Sequence, residues 1–146
     1  MIARNEGCCG GLMYSVSIKG IVLGSLFDLI ATFAFAFLLG IYLAISHGGD
    51  QEAAMRAANS GDWLAFSVVV ASALTVVAGY LAAWIAGRGE LINGTLSAVF
   101  SMAIMLPMTW DQPMPWSATV TVLLFIATPL LGLLGGYLRS RQTNSS

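Results

Sequence analysis

One stretch decides the fold: residues 18–46 read IKGIVLGSLFDLIATFAFAFLLGIYLAIS, an almost uninterrupted apolar run. About 20 apolar residues in a helix cross the roughly 30 Å hydrocarbon core of a bilayer. The stretch is therefore predicted to be a transmembrane helix that tilts or overhangs the hydrocarbon. It is almost twice as long as the apolar core of a cleaved signal peptide, so we expect it to stay in the membrane.

Small residues recur at every fourth position of this stretch, and one member of the row is an acid. The row comprises Gly20, Gly24, Asp28, Thr32, Ala36, Gly40 and Ala44. Small residues let membrane helices approach closely. Four residues turn an ideal helix by about 400°, so the row drifts by about 40° at each step. We therefore expect the part up to Thr32 to face one helix and the part from Ala36 onward to face another.

The composition predicts a membrane protein with little mass outside the bilayer. Hydrophobic residues make up 58% of the chain and charged residues only 9%, whereas soluble domains have roughly 25% charged residues. The formal net charge is −1 and the six Lys and Arg are scattered, which excludes a basic surface for nucleic acid. The lipid bilayer is therefore a predicted partner, and nucleic acid is not.

Four apolar stretches are long enough to span a bilayer. They cover residues 18–46, 63–86, 91–110 and 116–138. The chain is therefore predicted to be all-α, with one four-helix transmembrane domain. Residues 1–17 and 139–146 are predicted to be short tails, and 47–62 to be an outer loop. The loop sequence HGGDQEAAMRAANSGD predicts a short helix that is capped by Asp50 and stopped by Gly61.

Basic residues predict the orientation of the spans. Those on one side are Arg4, Lys19, Arg88, Arg139 and Arg141, and the one on the other side is Arg56. The positive-inside rule then places both termini in the cytoplasm. Aromatic residues agree, since Trp63, Trp110 and Trp116 would mark the outer interface and Trp84 the inner one.

Rows of small residues recur in the other three spans and predict close helix packing there. They are Ala71, Thr75, Gly79, Ala83 and Gly87 in the second span, Gly94 and Ala98 in the third, and Thr128, Gly132 and Gly136 in the fourth.

Short similarities between the two halves of the chain are typical of a tandem repeat of helical hairpins. Ile18-Lys19-Gly20 recurs as Ile92-Asn93-Gly94, and Ala78-Gly79-Tyr80-Leu81 resembles Gly135-Gly136-Tyr137-Leu138. Chance similarity in a chain rich in Gly, Ala and Leu explains these pairs equally well.

Asp28 is the one acid that lies deep within a predicted span. A carboxylate in hydrocarbon costs a few kcal/mol on insertion scales, so we expect the protein itself to satisfy it. No Lys or Arg lies deep enough to pair with it. In one interpretation it is a protonated or hydrogen-bonded acid that joins Ser25, Thr32 or a hydroxyl such as that of Thr75. In the other it is a proton or cation site.

Other residues give no support to catalysis or to a cofactor. There is no Ser/His/Asp set, no pair of membrane carboxylates and no glycine-rich phosphate loop. His47 is the only histidine, and Cys8 and Cys9 are adjacent in the first tail. Those thiols suit palmitoylation, a soft metal or an ordinary tail. We predict no enzyme, no metal site and no cofactor.

Residues 78–94 carry a resemblance. The sequence AGYLAAWIAGR over 78–88, followed by GELING over 89–94, resembles an uncharacterised family of small bacterial four-helix integral membrane proteins. Its members have a G-G-Y-x-A-A-like helix end, a short basic turn and then a helix rich in small residues. The resemblance implies a bacterial cytoplasmic membrane and the same four-span plan, and it carries no function.

Two classes of function follow from these patterns. The first is a structural or accessory membrane protein that associates with itself, as a homo-oligomer, or with a larger membrane complex through its small-residue rows. The alternative is a small proton- or cation-coupled transporter or channel that uses Asp28.

Overall fold

The computed structural model describes residues 16–109 and 118–143, and its regular structure there is helical. The helices are α1 (Ile18–Ser46), α2 (Gln51–Ala58), α3 (Gly61–Ala86), α4 (Glu90–Thr109) and α5 (Ala118–Thr143). All except α2 are long and apolar enough to cross a membrane. The predicted all-α architecture with four candidate membrane spans is confirmed.

Two helix ends differ from the predicted ones, the end of α2 and the end of α5. Asp50 caps α2 as expected, with its Oδ1 accepting from the Ala53 N–H at 3.1 Å. Gly61, however, does not stop α2, which ends at Ala58; Gly61 is the first residue of α3. Likewise α5 continues to Thr143, because the end of an apolar run marks the membrane boundary and not the end of the helix. The predicted limits at 110 and 116 lie outside the described residues.

α3 and α4 form the centre of the bundle. α1 and α5 each pack against both of them but scarcely contact one another, so they lie on opposite sides of the central pair. α2 packs mainly on α1. We call the end that carries Lys19, Arg88, Arg139 and Arg141 the basic end, and the opposite end the α2 end.

Two glycines make the tight turn between α3 and α4. Gly87 ends α3 with φ +64°, and its N–H donates to the Ala83 carbonyl at 3.1 Å. Gly89 has φ +58°. Both angles lie in the left-handed region, which glycine adopts without the steric cost of a Cβ. The turn returns the chain directly along α3, and Arg88 between the two glycines is exposed.

Most of the predicted packing residues lie buried between helices. They are Gly20, Gly24, Thr75, Gly79, Ala83, Gly94, Ala98, Gly132 and Gly136. Close contacts join α5 to the central pair, where a Cβ on Gly132 would lie 2.6 Å from both the Ala98 Cβ and the Gly94 carbonyl oxygen. A Cβ on Gly79 would lie 2.6 Å from the Gly132 carbonyl oxygen. The α5 backbone therefore contacts α3 and α4 directly.

α1 meets the opposite side of the central pair in the same way. A Cβ on Gly20 would lie 2.6 Å from the Ala82 carbonyl oxygen. A Cβ on Gly24 would lie 2.6 Å from the Ala82 Cβ and 2.7 Å from the Ser97 Oγ. The first half of the α1 row thus faces α3 and α4 together.

The second half of that row does not pack as expected. Ala36, Gly40 and Ala44 are exposed, and a Cβ on Gly40 would find no atom within 4 Å. At this end aromatic rings link α1 to α3, where the Tyr42 and Trp63 ring centroids lie 5.8 Å apart. Gly40 and Ala44 border an open groove of about 400 Å³ whose other wall is α2, with Ala54, Met55 and Ala58.

Candidate functional site

Buried polar side chains run through the bundle from the basic end towards its middle. They are Ser25 and Asp28 on α1, Thr75 on α3, and Asn93, Ser97 and Ser101 on α4. We call these six residues the polar column. The three α4 members are spaced by four residues, which aligns them along one side of that helix.

Asp28 lies at the inner end of the polar column and is only 7% exposed. Its Oδ1 lies 3.3 Å from the Thr75 Oγ1, which is placed to donate to it across the α1–α3 contact. The same Thr75 hydroxyl lies 3.1 Å from the Ala71 carbonyl oxygen. One hydroxyl proton therefore faces two acceptors, and the carboxyl is the more distant of them.

Ser101 approaches Asp28 from α4. Its hydroxyl lies beside the carboxyl and the residue is only 4% exposed. The two groups are nevertheless outside hydrogen-bonding geometry, and the Ser101 Oγ has no partner among the described residues. A buried hydroxyl without a partner is unfavourable by about 1–3 kcal/mol, so this group has hydrogen-bonding capacity to offer a neighbour.

Ser25 and Ser97 form the next level of the column, towards the basic end. The Ser25 hydroxyl lies 2.7 Å from the Ile21 carbonyl oxygen and 2.9 Å from that of Ser97. The two serine Oγ atoms lie 3.4 Å apart. This pair bridges α1 and α4 about one helical turn from Asp28.

Asn93 closes the column at the basic end and is fully buried. Its Oδ1 accepts from the Ser17 N–H at 2.7 Å, which ties α4 to the start of α1. Its Nδ2 donates to the carbonyl oxygens of Arg88 and Gly89 at 2.8 and 3.0 Å. One amide thus holds the α3–α4 turn against the first residues of α1.

Ser25, Thr32 and Thr75 were the predicted hydrogen-bonding neighbours of Asp28, and the structure places one of them against the carboxyl. Thr75 contacts the carboxyl, whereas Ser25 is directed to Ser97 instead. Thr32 is half-buried and lines an open groove of about 250 Å³ between α1 and α3, together with Ser67 and apolar residues. The groove extends from Thr32 towards the α2 end.

Sequence reasoning missed the α4 side of the site. Ser97 and Ser101 do not stand out in a hydropathy pattern, because a single hydroxyl in a membrane helix can hydrogen-bond to the backbone of its own helix. A usable signal was nonetheless present. Asn93 and Ser97 directly precede the small residues Gly94 and Ala98, so they lie about 100° around α4 from a predicted packing row and border it.

The donor set in this part of the chain favours a proton or a monovalent cation over a multivalent metal. In the described residues, no three His, Cys, Asp or Glu side chains lie close enough to hold a metal ion. A single carboxyl with two hydroxyls carries one negative charge at most, whereas calcium sites use six to eight oxygens and several carboxylates.

Comparison with protein-family models, with curated proteins and with solved structures finds no match to this chain. The resemblance of residues 78–94 to small bacterial membrane proteins therefore stays a prediction.

Proposed function

We propose that the protein is a structural or accessory component of a membrane, which associates with itself or with a larger membrane partner. We further propose a bacterial cytoplasmic membrane with both termini in the cytoplasm. The gathering of Lys19, Arg88, Arg139 and Arg141 at the basic end supports that orientation through the positive-inside rule.

The loosely packed half of α1 carries this proposal. The α1 row packs tightly at Gly20 and Gly24, whereas the same spacing continues through Ala36, Gly40 and Ala44, which are exposed and line open grooves against α2 and α3. Small residues at this spacing are the usual contact of two membrane helices. A helix from a second copy or from a partner would complete on this surface the packing that α3 and α4 provide further along α1.

Leucine at Gly40 is expected to weaken association without unfolding the bundle. No atom lies within 4 Å of a Cβ at this position, so the added side chain has room in the open groove against α2, but it would hold a partner helix away. The measurement is size in mild detergent, together with recovery of partners from native membranes. The expected result is a shift from the assembled to the monomeric size at unchanged helix content.

Ala34→Leu is the matched control for that variant. Ala34 is also a small, exposed residue of α1, and it lies about 120° around the helix from Gly40, outside the small-residue row. It should leave assembly intact. If Gly40→Leu and Ala34→Leu both give the same assembled size as the unmodified chain, the second half of the α1 row is not the contact surface that the proposal requires.

A second candidate function is a small proton- or cation-coupled transporter or channel. The buried Asp28 carboxyl supports it, since its Thr75 neighbour also bonds the Ala71 carbonyl and acids inside membrane helices are often proton or ion sites. Asp28→Asn should then abolish proton or cation flux into vesicles that contain the purified protein, with oligomeric size unchanged. Asp62→Asn removes an exposed acid and should preserve the flux. Equal flux through all three proteins would remove this candidate.

A further inference from the structure

We propose that the chain binds one phospholipid at its α2 end. One acyl chain lies in a groove between α1, α2 and α3, and a headgroup with both a phosphate and a primary ammonium lies against Arg56 and Glu52. Binding a lipid requires no second protein, so this inference goes beyond the proposed function. The bound acyl chain would form part of the surface that a partner helix meets.

Two open cavities join along α1. One of about 400 Å³ lies between α1 and α2, and one of about 250 Å³ lies between α1 and α3. Gly40, Leu43 and Ala58 line both of them, so the two form one continuous groove, which we call the α1 groove. Their volumes are close to the 300–1,000 Å³ that is typical of sites for small molecules.

The α1 groove has the length of one leaflet of a bilayer. Its lining on α1 extends from Thr32 to Ala44, and these twelve steps along the helix rise by about 18 Å. Thr32 is also the middle residue of α1, and half of the hydrocarbon core is about 15 Å thick. The groove therefore runs from the membrane surface at the α2 end to the middle of the bilayer, as an acyl chain does.

The lining of the α1 groove suits hydrocarbon. Glycine, alanine and larger apolar residues form it, apart from Gln51 at the α2 end and the hydroxyls of Thr32 and Ser67. Two of its walls, α1 and α3, are candidate membrane spans, so lipid is the medium into which the groove opens. Walls on three helices would hold an acyl chain more closely than the rest of the exposed surface does.

A polar cavity of about 440 Å³ adjoins the groove on α2. Met55 lines both, and the other residues around the polar cavity are Glu52, Arg56 and Asn59. Glu52 and Arg56 are exposed, and neither side chain forms an ion pair or a hydrogen bond with the described residues. Residues four apart on a helix have Cβ atoms about 5–6 Å apart, so these two opposite charges can face a single headgroup.

The two charges select the class of headgroup. A guanidinium such as that of Arg56 binds a phosphate through two parallel N–H bonds. The Glu52 carboxylate accepts hydrogen bonds, and a primary ammonium has three N–H donors. A choline headgroup offers Glu52 no N–H donor, and a glycerol headgroup offers it no cation. Phosphatidylethanolamine satisfies both side chains.

Native mass spectrometry of the full chain tests the proposal. The chain is released from nanodiscs that contain phosphatidylethanolamine, phosphatidylcholine and phosphatidylglycerol in equal amounts, with identical acyl chains. We expect the monomer to retain one phosphatidylethanolamine, in preference to either other lipid by about threefold, as for an exposed ion pair. Ala58→Phe fills the groove where its two parts join and should lower the retention of every lipid several-fold. Glu52→Gln/Arg56→Gln should keep a bound lipid but lose the preference.

Ala73→Phe is the matched control. Ala73 is a small, exposed residue of α3 that does not line the α1 groove, and its variant should retain lipid as the unmodified chain does. Equal retention by Ala58→Phe, Ala73→Phe and the unmodified chain, including no retention at all, would overturn the binding of an acyl chain. Equal retention of the three lipids by the unmodified chain, or a preference for phosphatidylglycerol, would overturn the headgroup. Should Ala58→Phe not fold, Ala44→Phe fills the same groove from α1 and is interpreted in the same way.

Discussion

Replacing Asn93 by alanine is expected to destabilise the bundle by about 2–3 kcal/mol. The side chain is fully buried, accepts from the Ser17 N–H and donates to the carbonyls of Arg88 and Gly89. Truncation leaves the Ser17 N–H without its acceptor and removes a side-chain link between the α3–α4 turn and the start of α1. Reversible unfolding from mild detergent into a denaturing detergent measures the loss.

Asn59→Ala is the matched control. Asn59 also donates its side-chain amide to a backbone carbonyl, that of Met55 at 3.0 Å, but it is exposed at the end of α2. Water replaces that bond, so the change in the free energy of unfolding should be close to zero. Comparable losses for the two variants would mean that burial and the link between helices are not what makes Asn93 important.

The architecture was predictable because membrane spans depend on long-range averages of apolarity. Residues 18–46 coincide with α1, and no local detail could have altered that assignment. Helix ends were less predictable, as the start of α3 at Gly61 and the end of α5 at Thr143 show. These ends depend on a few polar residues, and the hydropathy of a segment does not indicate where its helix stops.

The site was only half predictable for a related physical reason. An acid such as Asp28 stands out in any apolar run, because its burial is costly. The serines on α4, Ser97 and Ser101, do not stand out, since burying a hydroxyl costs much less free energy than burying a carboxylate. Which hydroxyls meet the acid depends on how α1 and α4 are rotated, and that rotation is decided by packing at Gly24 and Ala98. For the same reason the sequence could not predict the open groove beside Gly40.

Gly132→Ala and Gly40→Ala should change stability in opposite directions although the chemical change is identical. Alanine is the better helix former and stabilises an exposed helix position by about 0.5–1 kcal/mol relative to glycine. At Gly40 nothing lies within 4 Å of the new methyl group, so that gain is expected in full. At Gly132 the methyl would lie 2.6 Å from both the Ala98 Cβ and the Gly94 carbonyl oxygen. The helices would have to separate, with a net loss of about 1–3 kcal/mol.

A double variant separates the two contacts at Gly132. Ala98→Gly removes the methyl carbon that meets the new side chain, but the Gly94 carbonyl belongs to the α4 backbone and cannot yield. Ala98→Gly/Gly132→Ala is therefore expected to recover part of the stability lost in Gly132→Ala, relative to Ala98→Gly alone. Full recovery would show that the side-chain contact alone sets the spacing of α4 and α5. No recovery, with Gly132→Ala as destabilised as predicted, would assign the spacing to the backbone contact between the two glycines.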